Sequence, residues 1–233
     1  MELTLIQKIA VFIIPVIFAI TLHEAAHGYI AMKFGDKTAW MLGRVTANPI
    51  KHIDPIGTIG LPLFLLLMSK LSGGPAFLFG WAKPVPVNFE NLRNPKRDML
   101  WVAAAGPGSN LLMALFWALM IQLGHALGGA FGLPLMLMGA AGVFINGILA
   151  ALNILPLPPL DGGRIAVSLL PNKYAMLLSR VEPYGIFILI ALMFTGVLGQ
   201  VMWPLIGLVF AFSAALTGVE TQTLMALISI LLN

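Results

Sequence analysis

The sequence predicts an all-α polytopic membrane protein, and three observations predict this fold class. Of the 233 residues, 59% are hydrophobic and only 9% are charged, whereas a soluble domain carries about 25% charged residues. The mean hydropathy is +0.96. The hydrophobic residues form long uninterrupted runs, unlike the alternating segments of about ten residues that are typical of a transmembrane barrel. Lipid is therefore the expected environment of most of the surface.

Charge and cysteine content narrow the classes of function. The net charge is +4, and the sequence contains no cysteine. In a membrane protein, an excess of Lys and Arg is typical of cytoplasmic loops that face anionic lipid, so no nucleic-acid partner is expected. The lack of cysteine excludes a disulfide, a thiolate nucleophile and a cysteine-ligated metal.

The N-terminal half predicts one spanning helix followed by an insertion. Leu5–Met32 is long and apolar enough to cross a bilayer. Ile56–Met68 is apolar but would be only about 20 Å long as a helix, and a turn is predicted after it at Ser72–Pro75. Gly80–Glu90 alternates proline with apolar residues, which is typical of an extended loop or an edge strand. We interpret residues 56–90 as a re-entrant or β-hairpin insertion.

The chain after the insertion predicts four further spans. The first two complete a three-helix core, and the other two are additional C-terminal transmembrane helices. A small-residue loop is predicted at Gly124–Gly132, a Pro/Gly-rich break at Pro156–Pro171, and a separation of the last two spans at Gly199. The four spans are Met99–Leu123, Leu133–Leu155, Tyr184–Leu198 and Trp203 to about Thr217.

The basic residues predict the orientation of these spans. Lys and Arg cluster after the first span, before the second and after the third, while residues 124–132 and 199–202 contain no Lys, Arg, Asp or Glu. By the positive-inside rule, the three basic loops are cytoplasmic. The insertion then enters and leaves on that side, where irregular backbone requires shielding by protein or a wet cavity. We expect a multi-pass protein of the cell membrane with a single domain at 1–233, a helical core at about 5–165 and C-terminal helices at about 184–233.

A histidine pair lies within the first span. His23 and His27, in the sequence HEAAH, are four residues apart, so on a helix they share one face and can bind one Zn²⁺. Glu24 lies beside them, where a carboxylate can take a proton from an activated water. A carboxylate at this depth in a membrane costs on the order of 3 kcal/mol, which indicates a function. The alternative interpretation is a structural His–Glu hydrogen bond between helices.

A catalytic zinc site needs a third protein ligand and leaves one position open. Asp161 is the best candidate, because prolines break the helix before it and it lies at the same end of the core as the histidines. His52 is more typical of a solvated loop residue, and His125 lies at the opposite membrane face. The alternative for Asp161 is a loop turn in which it caps a helix or pairs with Arg164.

Three motifs, in this order, make the chain resemble the site-2 protease family of intramembrane metalloproteases. They are HEAAH at 23–27, Ala-Gly-Pro-Gly-Ser-Asn at 105–110 and Asn-x-x-Pro-x-Pro-x-x-Asp-Gly at 153–162. The resemblance covers nearly the whole chain and implies the compact subgroup without a PDZ or CBS domain. It implies that His23, His27 and Asp161 bind one zinc ion per chain, that Glu24 is the catalytic base, and that Asn153 orients the substrate or the oxyanion.

In the second motif, Gly106 and Gly108 favour close helix packing, and Asn110 needs a polar partner in lipid. Structural packing is the favoured interpretation of this motif, and substrate contact is the second.

The predicted activity is hydrolysis of peptide bonds within or near transmembrane segments of membrane-protein substrates, in regulated intramembrane proteolysis. The active site is expected toward the cytoplasmic side. Because a substrate helix must unwind to be cut, we expect Trp81–Asn88 to pair with it as an added strand.

One alternative to a protease is a metal-ion transporter, since intramembrane His and carboxylate groups also line ion paths. The other is a catalytically silent relative that binds membrane proteins. The sequence carries no signal for an oligomeric state.

Overall fold

The computed structural model describes residues 3–72 and 80–232. Within these ranges the chain forms ten α-helices, three 3₁₀ turns and one π-helical turn. The α-helices are α1 (Leu5–Lys33), α2 (Thr38–Met41), α3 (Leu61–Ser72), α4 (Pro95–Leu127), α5 (Gly129–Asn153), α6 (Asp161–Leu169), α7 (Asn172–Ser179), α8 (Gly185–Phe194), α9 (Val197–Thr217) and α10 (Thr221–Leu232). The 3₁₀ turns are Pro49–His52, Phe89–Asn91 and Glu182–Tyr184, and the π-helical turn is Pro55–Gly60.

Five segments of the described chain are long and apolar enough to cross a membrane. They are α1, α4, α5, α9 and the stretch Asn172–Phe194 that contains α7 and α8, and they are 21 to 33 residues long. A hydrocarbon core needs about 20 residues of helix. The prediction of an all-α polytopic membrane protein is confirmed.

Helices α1, α4 and α5 pack against one another as the predicted three-helix core. Small residues let these helices approach closely: a Cβ added at Gly142 of α5 would overlap the Trp117 indole of α4. Close packing of this kind is typical of membrane helices, whose association depends on van der Waals contact. The buried side chains between α4 and α5 include Met113, Trp117, Ile121, Leu137 and Val143.

The prediction of a loop at Gly124–Gly132 is wrong, because both neighbouring helices extend into these residues. Only Gly128 lies between α4 and α5, with a φ of 58° that glycine adopts readily. Gly124 and Gly132 instead face each other across the helix pair, where a Cβ on Gly124 would lie 2.7 Å from the Gly132 carbonyl oxygen. The small residues therefore serve close packing of two antiparallel helices.

The separation predicted at Gly199 is also wrong. Gly196 has a left-handed φ of 76° and precedes α9, while Gly199 lies inside that helix. A glycine ends a helix when it adopts the left-handed conformation, and a helical glycine does not interrupt the hydrogen bonding.

Beyond Thr217 the chain turns back and forms α10, which packs against α5. Its buried residues Leu224, Leu227, Ile228 and Leu231 recur at the spacing of one helical face. The same residues belong to the hydrophobic cluster that contains Trp117 and Val143. The C-terminal helix is therefore part of the main core.

The insertion after α1 enters as a helix and returns as extended chain. The π-helical turn leads into α3, and residues 80–88 return without regular secondary structure. Backbone hydrogen bonds join the limbs: the Trp81 N–H donates to the Gly57 carbonyl at 3.1 Å, and the Lys83 N–H donates to the His52 carbonyl at 2.9 Å. The Thr58 hydroxyl also donates to the Trp81 carbonyl, at 2.9 Å. These limbs match the re-entrant form of the prediction.

The described part of the insertion contains no β-strand. Pro84 and Pro86 remove donors that a ladder of strand hydrogen bonds would need. Of the predicted turn at Ser72–Pro75, residues 73–75 lie outside the described ranges.

Asp36 anchors the returning chain to the end of α1. It is fully buried, and its carboxylate accepts hydrogen bonds from the Asn88 N–H at 2.7 Å, the Thr38 N–H at 3.0 Å and the Asn91 amide at 3.2 Å. Burial by itself raises the pKa of Asp36, but the hydrogen bonds from Thr38, Asn88 and Asn91 outweigh it and hold the pKa below its ordinary value. The anchor therefore carries a negative charge at neutral pH and fixes residues 80–88 beside α1.

Candidate active site

Helix α1 places His23 and His27 on one buried face. Their spacing of four residues brings the rings one above the other, and the two Nε2 atoms lie 3.2 Å apart. Both residues are buried. The predicted histidine pair is thus assembled within a single helix.

Asp161 lies close to the two histidines, at the start of α6 and after the turn that follows α5. Residues 154–160 turn the chain, and the predicted break ends there, because α6 already begins at Asp161. The turn is tightly packed, since a Cβ added at Gly162 would overlap the carbonyl of Ile154. Asp161 Oδ2 lies 3.3 Å from His23 Nε2 and 3.2 Å from His27 Nε2.

The two alternatives for Asp161 are not observed. The residue at the N-cap of α6 is Leu160, and Asp161 makes no capping hydrogen bond. The charged partners of Asp161 among the described residues are the two histidines rather than Arg164.

The three donor atoms have the dimensions of a zinc site. They form a nearly equilateral triangle with sides of 3.2, 3.2 and 3.3 Å. Tetrahedral zinc with bonds of about 2.0 Å places its ligand atoms about 3.3 Å apart. Two imidazole nitrogens and one carboxylate oxygen are also the donor types of catalytic zinc sites.

A backbone carbonyl fixes the tautomer of His27. Its Nδ1 lies 2.7 Å from the carbonyl oxygen of Val102. A carbonyl oxygen can only accept, so Nδ1 carries the proton and, in the neutral ring, Nε2 carries a lone pair.

A chain of two asparagines fixes the tautomer of His23 in the same way. Asn146 Nδ2 donates to the carbonyl of Gly142 at 2.9 Å, so its Oδ1 accepts from Asn110 Nδ2 at 2.8 Å. Asn110 Oδ1 then faces His23 Nδ1 at 2.6 Å, which makes Nδ1 the donor. Both asparagines are fully buried. In the neutral ring, the Nε2 atom of His23 is therefore also left with a lone pair.

When both rings are neutral in these tautomers, three acceptor atoms at these distances repel one another unless a cation lies among them. Asp161 Oδ2 is buried and receives no hydrogen bond from the described residues, and the two Nε2 lone pairs face it. Burying unpaired polar atoms costs free energy that a metal ion would offset. Hydrogen bonds that orient the far nitrogen of each imidazole are the usual support of metal-binding histidines. The residues present therefore fit a zinc ion.

Glu24 lies next to the histidine pair and is held by the returning chain. The Val85 N–H donates to Glu24 Oε2 at 2.7 Å. One carboxylate oxygen is thereby fixed, and the other remains for a water molecule. The side chain is partly buried and lines a cleft of about 150 Å³ that also borders His23, His27 and Asp161.

Asn153, the last residue of α5, lines the same cleft. Its amide nitrogen donates to the carbonyl of Leu149 at 3.0 Å, which uses one of the two amide hydrogens. The other predicted site residues, His23, Glu24, His27 and Asp161, border this cleft as well.

The two remaining histidines lie elsewhere. His52 is buried in the connector, where its Nε2 lies 3.1 Å from the carbonyl of Thr46. It is thus not the solvated loop residue that the sequence indicated. His125 is exposed near the end of α4 and lies 15 residues, about 22 Å of helix, beyond Asn110.

The histidine pair requires the glycine at position 106. The sequence indicated Gly106 only as a site of close helix packing. A Cβ on Gly106 would lie 2.5 Å from His27 Nε2 and 2.6 Å from His23 Cε1. We expect Gly106→Ala to displace the imidazoles, to weaken zinc binding at least tenfold and to lower cleavage about 100-fold, since misplacement by about 1 Å can have that effect. Zinc titration and a cleavage assay measure both effects.

Gly108→Ala is the matched control, because no atom lies within 4 Å of a Cβ at that position of the same helix. Equal zinc affinity in the two variants would contradict the assigned role of Gly106.

Comparison with known proteins agrees with this site. Residues 126–196 match the family model described as Peptidase family M50. YwhC of Bacillus subtilis (strain 168), named as a candidate zinc metalloprotease, is 39% identical over 198 residues, which cover 83% of this chain and 84% of YwhC. Rip2 of Mycolicibacterium smegmatis, named in the same way, is 30% identical over 216 residues, which cover 89% of this chain and 77% of Rip2. No solved structure matches the chain at a significant level.

Two histidines and a carboxylate that converge inside a bundle of membrane-spanning helices define the class of integral-membrane metalloproteases. The chain belongs to peptidase family M50, the site-2 protease family. It is an intramembrane zinc metalloprotease, and the role of its family is regulated intramembrane proteolysis. The zinc cofactor and the reaction predicted from the sequence are confirmed.

The sequence did not indicate Asn146 as part of the site, and it indicated Val85 only as part of the extended chain predicted to pair with the substrate, whereas its N–H donates to Glu24. Asn146 lies in an apolar helix, so its polarity was a signal that it needs a buried partner. Val85 acts through its backbone N–H, and the side-chain type carries no signal for such a contact.

Proposed function

We propose that this protein cuts transmembrane segments of other membrane proteins, with His23, His27 and Asp161 holding one zinc ion and Glu24 moving protons. The observation that carries the proposal is the triangle of three donor atoms beside Glu24. When bound, zinc supplies a Lewis acid that activates water and polarises a peptide carbonyl.

Glu24 takes a proton from the attacking water and later delivers it to the amine that leaves. The Val85 N–H bond to Oε2 supports this role, because it orients the carboxylate and leaves Oε1 for the water. A carboxylate within hydrogen-bond reach of the water is the geometry that general acid–base catalysis needs. Asn153 orients the substrate with its second amide hydrogen.

The site faces the cytoplasmic side of the cell membrane in this proposal. The support is the charge distribution: the loops beside the site carry Lys33, Lys37, Lys83 and Arg93, and the α4–α5 junction carries no charge. The chain acts as one domain at 1–233, in which α10 completes the core around α5.

The substrate binds by pairing with the extended chain at Trp81–Asn88. The Val85 N–H is already donated to Glu24, so it is not the donor for a substrate. The N–H of Val87 makes no hydrogen bond with the described residues, and Val87 lines the cleft. Val87 is therefore the donor that a substrate carbonyl would meet.

Proline at Val87 removes this donor, and we expect Val87→Pro to lower kcat/KM about two- to tenfold, mainly through KM, as for the loss of one hydrogen bond. The measurement is cleavage of a transmembrane fusion protein over a range of concentrations. Val87→Ala keeps the N–H and is the control for the lost side chain. Equal effects of the two substitutions would contradict strand pairing at this residue.

Removal of zinc tests the proposed function as a whole. We expect a strong zinc chelator to abolish cleavage of a transmembrane fusion by the purified protein, and re-addition of zinc to restore it, because no protein group in the site replaces a Lewis acid. Cleavage that persists without zinc would contradict the mechanism. Zinc flux in proteoliposomes without cleavage would favour a transporter, and zinc binding without cleavage or flux would favour a silent relative.

A further inference from the structure

A second and larger cavity opens directly beside the catalytic cleft. It has a volume of about 950 Å³ and is lined by residues from the start of α4, from α6 and from α7. Val87, Met99 and Arg164 line both cavities. A peptide held in the cleft of about 150 Å³ would therefore continue into the larger cavity. We call this cavity the basic groove, after its lining residues Lys96, Arg164 and Arg180.

The charged side chains of the basic groove are unbalanced. Three cations line it against one carboxylate, that of Glu182. The Lys96 ammonium is occupied, because it donates to the Leu170 carbonyl at 2.6 Å and to Asn172 Oδ1 at 2.9 Å. The guanidinium groups of Arg164 and Arg180 make no hydrogen bond or ion pair with any residue in the described ranges. Each can offer up to five N–H donors to an incoming acceptor.

The position of Arg164 relative to the reaction centre is fixed by the fold. It lies three residues after Asp161 on α6, one helical turn away and on the same side of the helix. The turn before it cannot shift easily, because a Cβ added at Gly163 would overlap the backbone of Pro158. An anion bound by Arg164 would therefore lie at a defined distance, a few residues of extended chain, from the bond that is cut.

The rest of the lining suits a peptide that passes from lipid to water. Met99, Val167 and Met176 add apolar side chains to the lining of the basic groove, beside its cations. A segment that leaves the membrane at the cleft has apolar residues on one side of the cut and polar residues on the other. The shared wall with the cleft favours this segment over a separate ligand.

We propose that the basic groove binds the polar flank of the substrate next to the scissile bond, and that Arg164, together with Arg180, selects an acidic side chain there. The assignment rests on the proposed protease function and adds a substrate preference to it. Arginine suits this role, since its guanidinium matches a carboxylate with two parallel hydrogen bonds.

The test measures peptide binding to the full-length Glu24→Gln protein in a zwitterionic detergent. Each fluorescent peptide carries a transmembrane segment and a polar flank. Within the series, one Glu occupies a different position of the flank in each peptide, and each peptide has a twin in which Gln replaces that Glu. We expect one or more positions at which the Glu peptide binds about fivefold more tightly than its twin, and a smaller difference at high salt. Arg164→Gln is expected to bring the ratio close to one, and Arg164→Glu to favour a Lys peptide.

Lys173→Gln is the matched control, because it removes the same charge from an exposed position on α7 outside the groove, and we expect it to keep the preference. Equal binding of the Glu and Gln twins at every position, or a preference that Arg164→Gln leaves intact, would overturn the proposal. A preference that disappears in nanodiscs with phosphatidylglycerol but not with phosphatidylcholine would assign Arg164 to an anionic lipid headgroup and also overturn it. Cleavage of the same peptides by the unmodified protein tests the protease function independently of this ratio.

Discussion

Glu24→Gln is expected to lower kcat by a factor of about 10² to 10⁴ while zinc content stays at about one ion per chain. Glutamine has the shape of glutamate and keeps an oxygen that can accept the Val85 N–H, now 2.7 Å from Glu24 Oε2. It cannot take a proton from water at neutral pH. The substitution therefore removes proton transfer and leaves the local structure in place.

The measurement is cleavage of a transmembrane fusion protein in detergent, with zinc determined in the same samples. Glu90→Gln is the control, because Glu90 is an exposed carboxylate in the turn after the extended chain. Full activity of the Glu24→Gln protein would show that another group moves the proton. Loss of zinc from that protein would show that Glu24 supports the metal site.

Asp161→Asn is expected to have a comparable effect on activity through a different cause. The carboxylate is the one anionic member of the donor triangle, and its Oδ2 lies 3.2 and 3.3 Å from the two imidazole nitrogens. A neutral amide oxygen is a much weaker zinc ligand. We expect zinc affinity to fall by more than about 100-fold, beyond the range that is usual for residues that only orient a ligand.

Zinc titration and thermal unfolding measure this loss. In the unchanged protein, zinc is expected to raise Tm, because a ligand that binds the folded state stabilises it, whereas Asp161→Asn would show little change. Asp54→Asn is the matched control: it removes one negative charge, and asparagine can still accept the hydrogen bonds that Asp54 receives from the Ile56 and Gly57 N–H groups. Unaltered zinc affinity of Asp161→Asn would exclude Asp161 as a ligand.

Local patterns explain why the sequence predicts that His23, His27 and Asp161 lie together, as they do in the structure. The histidine pair depends only on the helical period, because residues four apart on one helix must share a face. The choice of Asp161 needed one further step, that α1 and α5 run in the same direction, and the distribution of basic residues supplied it. Zinc and peptide-bond hydrolysis followed from these residue types.

The role of each glycine could not be predicted from local sequence patterns. Gly124, Gly132 and Gly199 all predicted breaks in the chain, yet each lies in a helix. Glycine tolerates a turn and close helix contact equally well, and the sequence near each glycine does not distinguish the two. The residues that lie beside a glycine in the folded protein determine its role. Gly106 lies against the two imidazoles, whereas Gly108 has open space beside it.

The sequence by itself determined the membrane class, the five apolar spans and the reaction, since composition, helical period and motif spacing are properties of the chain alone. It also predicted the three candidate zinc ligands that the structure brings together. Only the tertiary structure decided how these residues are supported. The hydrogen bond between His23 and Asn110 joins residues 87 positions apart, and that between Glu24 and Val85 joins residues 61 apart. The tautomers of both histidines, the orientation of Glu24 and the walls of the basic groove all depend on such distant pairs, and pairing across these separations is fixed by the packing of whole helices.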